Sequence, residues 1–404
     1  LTNIYSFDIL VLSSKGDLSM LRNKAYKFRL YPNKEQQILI NKTFGCTRLI
    51  YNIMLDKKKR NNSLSCYDLI KEIPSLYKEY PFLKEVDSCS LRCAIFDLDN
   101  AYQRYYKKLG KYPKYKKKGC KDSYRTNLIT STYKNKAYEN IKVDLKNKTI
   151  TLPKLKEVNI KGYRNLVKIN GRIINATITK EGKKYYVSIV VEESVILPDK
   201  KEDYAVGIDI GVKSLVVTSD GETYGNPRYN EKYEKRIKKL QRDLTRKIKG
   251  SNNYQKVKVN LSEIYRKLSN ARKKMIEEIV SKVTKYNDII IAEKLKVKEM
   301  LVKKEKREQN KTLRKSIINA TFGLIKRKLE EKCKMLNKTF IQVDTYYPSS
   351  QICSRCGNRN TRMKDLRKRE YKCSKCGVEL DRDINASINI EYEGIIKYYK
   401  RRLY

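Results

Sequence analysis

The sequence contains no histidine, and that single absence excludes much. A Ser-His-Asp triad, a His-dependent nuclease and a His-metal transposase with a tyrosine nucleophile all need imidazole. Tryptophan is also absent, and phenylalanine occurs only 7 times. No apolar run approaches the roughly 20 residues of a membrane span, so no membrane partner is expected. The apolar patch Ile9–Leu12 is short and follows Asp8, which makes a poor signal peptide. Acid is scarce: 45 Asp+Glu stand against 92 Lys+Arg, a formal net charge of +47 over 404 residues. Such an excess points to a polyanion partner. The aromatic content is mostly tyrosine, with 32 residues, a composition suited to stacking on bases beside phosphate-binding ammonium groups. The length suits two or three domains.

Ten cysteines are present. Six are scattered, and four form two C-x-x-C pairs, Cys353/Cys356 and Cys373/Cys376, with sixteen residues between the pairs. That is metal spacing in a reducing compartment rather than a secreted disulfide framework, and a cytoplasmic location is expected. Glycine follows each pair (Gly357, Gly377), as a tight knuckle requires. Four soft thiolates select Zn²⁺ and leave no open position, so the zinc is structural.

Along the chain, residues 1–19 read as a leader without structural role, Met20 being the more natural start. Alternation in 25–31 predicts a half-buried strand, ended by Pro32, with Asn33 and Gln36 as a capping box for a helix. Residues 33–115 form a helical lobe with a second helix from Ser88. Antiparallel hairpins in 140–192 would close a small β-barrel with strand 25–31, giving a barrel domain of residues 20–32 and 116–200. Composition shifts at Leu197-Pro198-Asp199. Beyond it a strand pair is followed by a charged helical hairpin over 231–285, a buried strand 288–292, a long helix at 312–337 and a strand 340–343.

Between residues 104 and 121 there are nine Lys/Arg and no acid, with tyrosines interleaved. Lys107, Lys108, Lys111, Lys114, Lys116, Lys117, Lys118, Tyr112 and Tyr115 are therefore the candidate nucleic-acid contacts. Three sets of acids carry the candidate chemistry. Asp209 lies in Gly-Ile-Asp-Ile-Gly, Glu293 ends Ile-Ile-Ile-Ala-Glu, and Asp381 and Asp383 lie in Asp-Arg-Asp-Ile-Asn-Ala. An acid at the end of an apolar strand is costly unless it coordinates something. Three such acids together can hold two Mg²⁺ ions, the natural route to phosphodiester cleavage in a chain without imidazole. Asp381 or Asp383 would serve equally as a helix cap.

These motifs together resemble the TnpB family of transposon-encoded RNA-guided nucleases, relatives of type V CRISPR effectors, over residues 20–404. Lys24–Pro32 with Phe44-Gly45-Cys46-Thr47-Arg48 is similar to the family's opening. Gly207–Gly211, Ile291–Leu295 and Asp381–Ala386 resemble the three motifs of its RuvC-type nuclease, and Pro348–Cys353 with the knuckles resembles its zinc ribbon. Phe322 stands where the family pattern carries tryptophan. The resemblance implies an α/β fold: an RNase H-like (RuvC) domain of residues 201–345 and 380–404 with the zinc ribbon 346–379 inserted, preceded by the β-barrel (wedge) domain and its helical lobe. It implies Asp383 as third catalytic acid beside Asp209 and Glu293, a guide RNA from the transposon end, double-stranded target DNA beside a short flanking motif, and a transposase partner from the same element. Two other classes stay open. A transposase with an RNase H core orders its acids Asp, Asp, Glu, whereas the order here is Asp, Glu, Asp. A catalytically silent RNA-guided or zinc-ribbon DNA-binding regulator would lack cleavage with any divalent metal.

Overall fold

The computed structural model describes residues 9–12, 18–119, 122–133, 136–162, 169–295, 321–365 and 367–403. Two compact units divide the chain, Leu1–Ile196 and Leu197–Tyr404, at the composition shift noted above.

In the first unit, β1 (Ile9–Leu12) pairs antiparallel with the start of β2 (Leu18–Tyr31). Part of the expected leader therefore belongs to a sheet; the rest of residues 1–17 lies outside the described residues. Helix α1 (Lys34–Arg60) opens with the reciprocal Asn33–Gln36 capping box. Two short helices follow, α2 (Cys66–Lys71) and α3 (Ile73–Glu79), then α4 (Ser88–Tyr106), capped by Asp87. Ile50, Met54 and Leu55 of α1 bury against Leu91, Ile95, Leu98 and Tyr102 of α4, as their helical spacing predicts.

The remaining strands of this unit are β3 (Ser123–Asn127), β4 (Thr130–Tyr133), β5 (Lys136–Glu139), β6 (Lys142–Asp144), β7 (Thr149–Leu152), β8 (Lys156–Lys161), β9 (Arg172–Glu181) and β10 (Lys184–Ile196). Six of them line up with β2 in the order β3-β9-β10-β2-β8-β7-β6, with β1 beside β2. This corrects the expectation of a closed barrel. The outermost strands β3 and β6 have five and three residues and do not pair with one another among the described residues. So short a terminal strand offers few ladder hydrogen bonds for closure. Helix α1 contributes instead, placing Ile40 and Phe44 in the same apolar cluster as Phe28, Leu30, Ile178 and Val187.

The second unit holds a five-stranded sheet in the order β13-β12-β11-β14-β15. Its strands are β11 (Ala205–Asp209), β12 (Ser214–Thr218), β13 (Thr223–Gly225), β14 (Ile289–Glu293) and β15 (Thr339–Val343). β11, β14 and β15 run parallel, whereas β12 and β13 are antiparallel additions. Between β13 and β14 the chain makes the expected hairpin, α5 (Tyr229–Arg246) and α6 (Asn252–Tyr286). Helix α7 (Phe322–Met335) is the described part of the helix expected over 312–337; residues 312–320 lie outside the described residues. Phe322 is buried with Val206, Ile208, Ile279 and Ile290.

The opposite sheet face is covered by the C-terminal helix α8 (Arg382–Leu403), whose Ile390 packs on Ile289, Ile291 and Ile341. Two glycines permit this contact. A Cβ on Gly207 would stand 2.0 Å from the Ser387 carbonyl oxygen, and one on Gly394 would stand 2.2 Å from Ile291. With helices on both faces, β11 and β14 read as nearly continuous apolar runs. Two small strands, β16 (Glu370–Lys372) and β17 (Glu379–Asp381), precede α8 and belong to the cysteine-bearing segment.

Candidate active site and metal centre

Side chains alternate along a strand, so Gly207 and Asp209 share a face of β11, and Ile291 and Glu293 share a face of β14. The parallel register sets Gly207 beside Ile291 and Ile208 beside Ala292, which puts the two acids level at the C-terminal ends of adjacent strands. Theirs is the face covered by α8, and Asp383 stands in that helix's first turn. All three carboxylates line one cavity of about 890 Å³. Burial pushes the Asp209 carboxyl up to about 7, helped by the negative charges of Asp383 and Glu293. Burial also raises Glu293. Arg369 Nη1 lies 3.6 Å from Asp383 Oδ2.

The two acids that sequence alone leaves interchangeable do different work. Asp381 Oδ1 accepts the backbone N–H groups of Asp383 (2.8 Å) and Ile384 (3.2 Å), capping α8. Asp383 is left to face the cavity. Between them, Arg382 is buried and donates to the carbonyls of Asp365 (2.9 Å) and Lys368 (3.4 Å) and to Ser350 Oγ (3.4 Å).

The four cysteines come together as their spacing requires. Cys353 Sγ is 3.6 Å from Cys376 Sγ, and Cys356 Sγ is 3.6 Å from Cys373 Sγ. All four ligand atoms lie within 4.8 Å of one another. A tetrahedral ZnS₄ centre with bonds of about 2.3 Å has edges of about 3.8 Å, so the donor set fits zinc. Both knuckles repeat one pattern. The N–H of Gly357 donates to the Cys353 carbonyl and that of Gly377 to Cys373, with φ of +73° and +72° at the glycines. Backbone N–H groups of Cys376 and Lys375 draw the Cys373 thiol down to about 6, toward the thiolate a metal needs.

Sequence reasoning missed the residues that join this ribbon to the acids. Asn385 and Asn389, one turn apart on α8, are buried. Asn385 Nδ2 donates to the Ile352 carbonyl (2.8 Å), and its Oδ1 accepts from Ser354 N (3.0 Å). Asn389 Nδ2 donates to the carbonyls of Ser349 (2.8 Å) and Ile352 (2.7 Å). Two asparagines at helical spacing among Ala386, Ile388 and Ile390 were the available signal, because a buried amide needs partners. Also missed were the cations of the cavity wall, Lys213, Arg228, Arg359 and Arg369. Metal analysis should find about one Zn²⁺ per chain, and Cys373→Ser should release it. Activity should fall too, because the ribbon is bonded to the helix carrying Asp383. A fully active, zinc-free protein would refute the assignment.

The basic tract lies in the first unit and is more committed than its charge suggests. Tyr112 contacts Tyr102, hydroxyl to hydroxyl at 3.1 Å, and sets its ring edgewise to Tyr105. Tyr115 donates to Asp56 and lies under Lys59 Nζ at 3.9 Å. Lys116 Nζ sits 3.9 Å above the Tyr51 ring, and its backbone exchanges hydrogen bonds with the Asn52 amide at 2.8 and 3.1 Å. These three residues fasten the tract to α1 and α4. Lys107, Lys108, Lys111, Lys114, Lys117 and Lys118 are exposed, and Tyr112, Tyr115 and Lys116 keep exposed surface beside these contacts. Replacing Lys114, Lys117 and Lys118 by alanine should flatten the salt dependence of RNA binding by about 2–3 in log–log slope. Lys116→Ala should instead lower thermal stability. An unchanged slope in the triple variant would mean that these lysines only meet solvent.

Comparison with known proteins places this geometry in a family. A protein of Streptomyces pristinaespiralis named "Putative RNA-guided DNA endonuclease" is 30% identical over 381 residues, 92% of this chain and 89% of its own length. The chain belongs to the TnpB family. An Escherichia coli relative, "Putative RNA-guided DNA endonuclease InsQ", is 28% identical over 92% of each chain. Three family models match: "Helix-turn-helix domain" at 20–62, "Probable transposase" at 188–304 and "Cas12f1-like, TNB domain" at 322–390. The last of these spans the four cysteines and Asp383. Among solved structures, that of the mini-RNA-guided endonuclease CRISPR-Cas phi3 aligns over 93% of this chain and 92% of its own, at 10% identity and a TM-score of 0.45. Among the described residues, no helix of this TnpB-family chain is long and apolar enough to cross a membrane.

Proposed function

We propose that this protein is an RNA-guided DNA endonuclease of an insertion-sequence transposon, cutting by metal-dependent phosphodiester hydrolysis in an RNase H-like (RuvC) domain. The observation that carries the reading is the convergence of Asp209, Glu293 and Asp383 on one basic-walled cavity at the strand ends. The names of its relatives agree with it. Hard carboxylate oxygens that repel one another, one of them desolvated enough to hold its proton to about 7, suit a divalent cation. Asp209, Glu293 and Asp383 would hold Mg²⁺, which would supply positive charge to the phosphate and lower the pKa of an attacking water.

The chain's own groups do the rest. Lys213, Arg228, Arg359 and Arg369 on the cavity wall hold the phosphates of the strand to be cut. Asp381 caps α8, and Arg382, Asn385 and Asn389 lock that helix to the ribbon, fixing Asp383 opposite Asp209. Cys353, Cys356, Cys373 and Cys376 would hold zinc, which would fix the ribbon's shape. Specificity comes from base pairing with a guide RNA transcribed from the transposon end, while the first unit meets a short flanking DNA motif. A transposase from the same element is the expected genetic partner, and the cytoplasm the expected compartment.

The test uses the ribonucleoprotein purified with its own RNA. It is offered plasmids carrying the matching target beside a randomised flank, in Mg²⁺ and in EDTA. Cleavage of a subset defined by a short flank, only with the metal, is expected. Binding without cleavage under every divalent metal would assign the chain to the silent regulators instead.

A further inference from the structure

The outer face of the first unit's sheet carries a group of side chains that neither the core nor the proposed chemistry uses. On β2, Tyr26, Phe28 and Leu30 point into the core, so Lys27, Arg29 and Tyr31 point outward. Register sets Arg29 opposite Tyr186 of β10 on one side and Lys161 of β8 on the other, with Tyr31 opposite Asn159. The Arg29 guanidinium carbon lies 5.1 Å from the Tyr31 ring centre and 5.6 Å from that of Tyr186. Lys27 Nζ lies 4.5 Å from the Tyr186 ring and 2.6 Å from Glu181. Tyr31 keeps 48% of its surface exposed, and Asn159 and Lys161 are exposed beside it.

The geometry points to a stacking platform for an unpaired nucleobase, built from Tyr31, Arg29 and Tyr186 and flanked by Lys27, Lys161 and Asn159. Rings and a guanidinium already held in contact lose little freedom on binding, so a base stacks on them at small entropic cost. The flanking ammonium groups meet the phosphates on either side, and the Asn159 amide matches the donor and acceptor edge of a base. The outward neighbours are polar, Ser188 on β10 and Thr177 and Thr179 on β9, so an apolar protein surface would gain little here. Charge favours the same occupant: Lys27, Arg29 and Lys161 stand against Glu181, which is already paired with Lys27, and Glu157 at the far end of the β8 face.

The absence of tryptophan supplies a clean test, because Tyr31→Trp makes the chain's single indole a reporter on the platform. The full-length variant is titrated with a 12-nucleotide oligouridine RNA, a 12-nucleotide oligothymidine DNA, and pyrophosphate. Either strand should quench the indole emission strongly, and the stronger of the two identifies the source of the base. Pyrophosphate should leave the emission unchanged; equal quenching by pyrophosphate would reduce the site to an anion contact and overturn the proposal. In the Tyr31→Trp background, Arg29→Ala and Tyr186→Ala should each raise the apparent Kd about ten-fold. Tyr186→Phe, which keeps the ring, should not, and it controls for loss of fold. Unchanged emission, while anisotropy of a labelled strand reports binding, would mean that strands bind elsewhere and the platform is wrong. The readout is local binding, so its outcome is independent of whether the chain cleaves DNA.

Discussion

Asp209→Ala is expected to lower cleavage of a matched target by at least several hundred-fold, while RNA binding and target binding stay within about two-fold of wild type. The argument rests on position. Asp209 ends the central strand of its sheet, level with Glu293 and facing Asp383, so its loss removes the middle member of the acid set. Removing one preorganised electrostatic group from such a site costs on the order of 10²–10³ in rate, and losing a metal ligand costs at least as much. In the proposed reading, guide and target would be held elsewhere, by exposed cations and by base pairing, which is why binding should persist. Single-turnover cleavage with purified ribonucleoprotein measures the first quantity, and a gel shift in EDTA measures the second. Glu293→Ala and Asp383→Ala should fall in the same range. Asp381→Ala should be milder, because a cap is worth about 1 kcal/mol of helix stability. If Asp209→Ala cleaves like wild type, the three-carboxylate site is wrong; if Asp381→Ala is the more damaging of the two α8 variants, the cap and the site acid have been exchanged.

How far the sequence exposed these features varied with the range of the interactions behind them. Asp209 and Glu293 were legible because an acid closing an apolar strand stands out locally. The four-cysteine cluster was legible because its thiols and their glycines lie within 25 residues, Cys353–Gly377. Residue type and spacing left Asp381 and Asp383 open, since either can cap a helix, and Asp383 was chosen on the family resemblance; in the fold the two backbone N–H bonds to Asp381 and the place of Asp383 in the cavity wall separate them. The closed barrel failed for a related reason. Periodicity shows which residues face inward, but whether β3 meets β6 depends on strand lengths and on α1 covering the core. In the basic tract, counting charges could not show which members are already engaged within the fold. Lys116 and Tyr115 are engaged by Tyr51, Lys59 and Asp56 from α1, partners more than 50 residues away. The cavity cations escaped because Arg228, Arg359 and Arg369 are indistinguishable, in sequence, from any of the other basic residues.

Asp209→Asn is expected to make the metal-free protein more stable above neutral pH while abolishing cleavage. In the folded chain the Asp209 carboxyl titrates at about 7, because burial and the charges of Asp383 and Glu293 penalise its ionised form. In the unfolded chain it titrates near 4. Between those values the folded state retains a proton that the unfolded state has released, so stability falls as pH rises from about 4 to about 7 and stays low above. The penalty is at most about 4 kcal/mol at pH 8. Asparagine keeps the shape and carries no charge, so it escapes that penalty. Melting in EDTA from pH 4.5 to 8.5 checks this, read as the difference between the two proteins so that other titrating groups cancel. The curves should lie close together at the acid end and separate by several degrees at the alkaline end, with the variant higher. Magnesium added at pH 8 should raise the melting temperature of wild type, because it relieves the same repulsion, and should raise the variant's much less. Should the variant melt below wild type in EDTA at pH 8, Asp209 is not strained by its neighbours, and the case for a cation between these carboxylates loses its electrostatic basis.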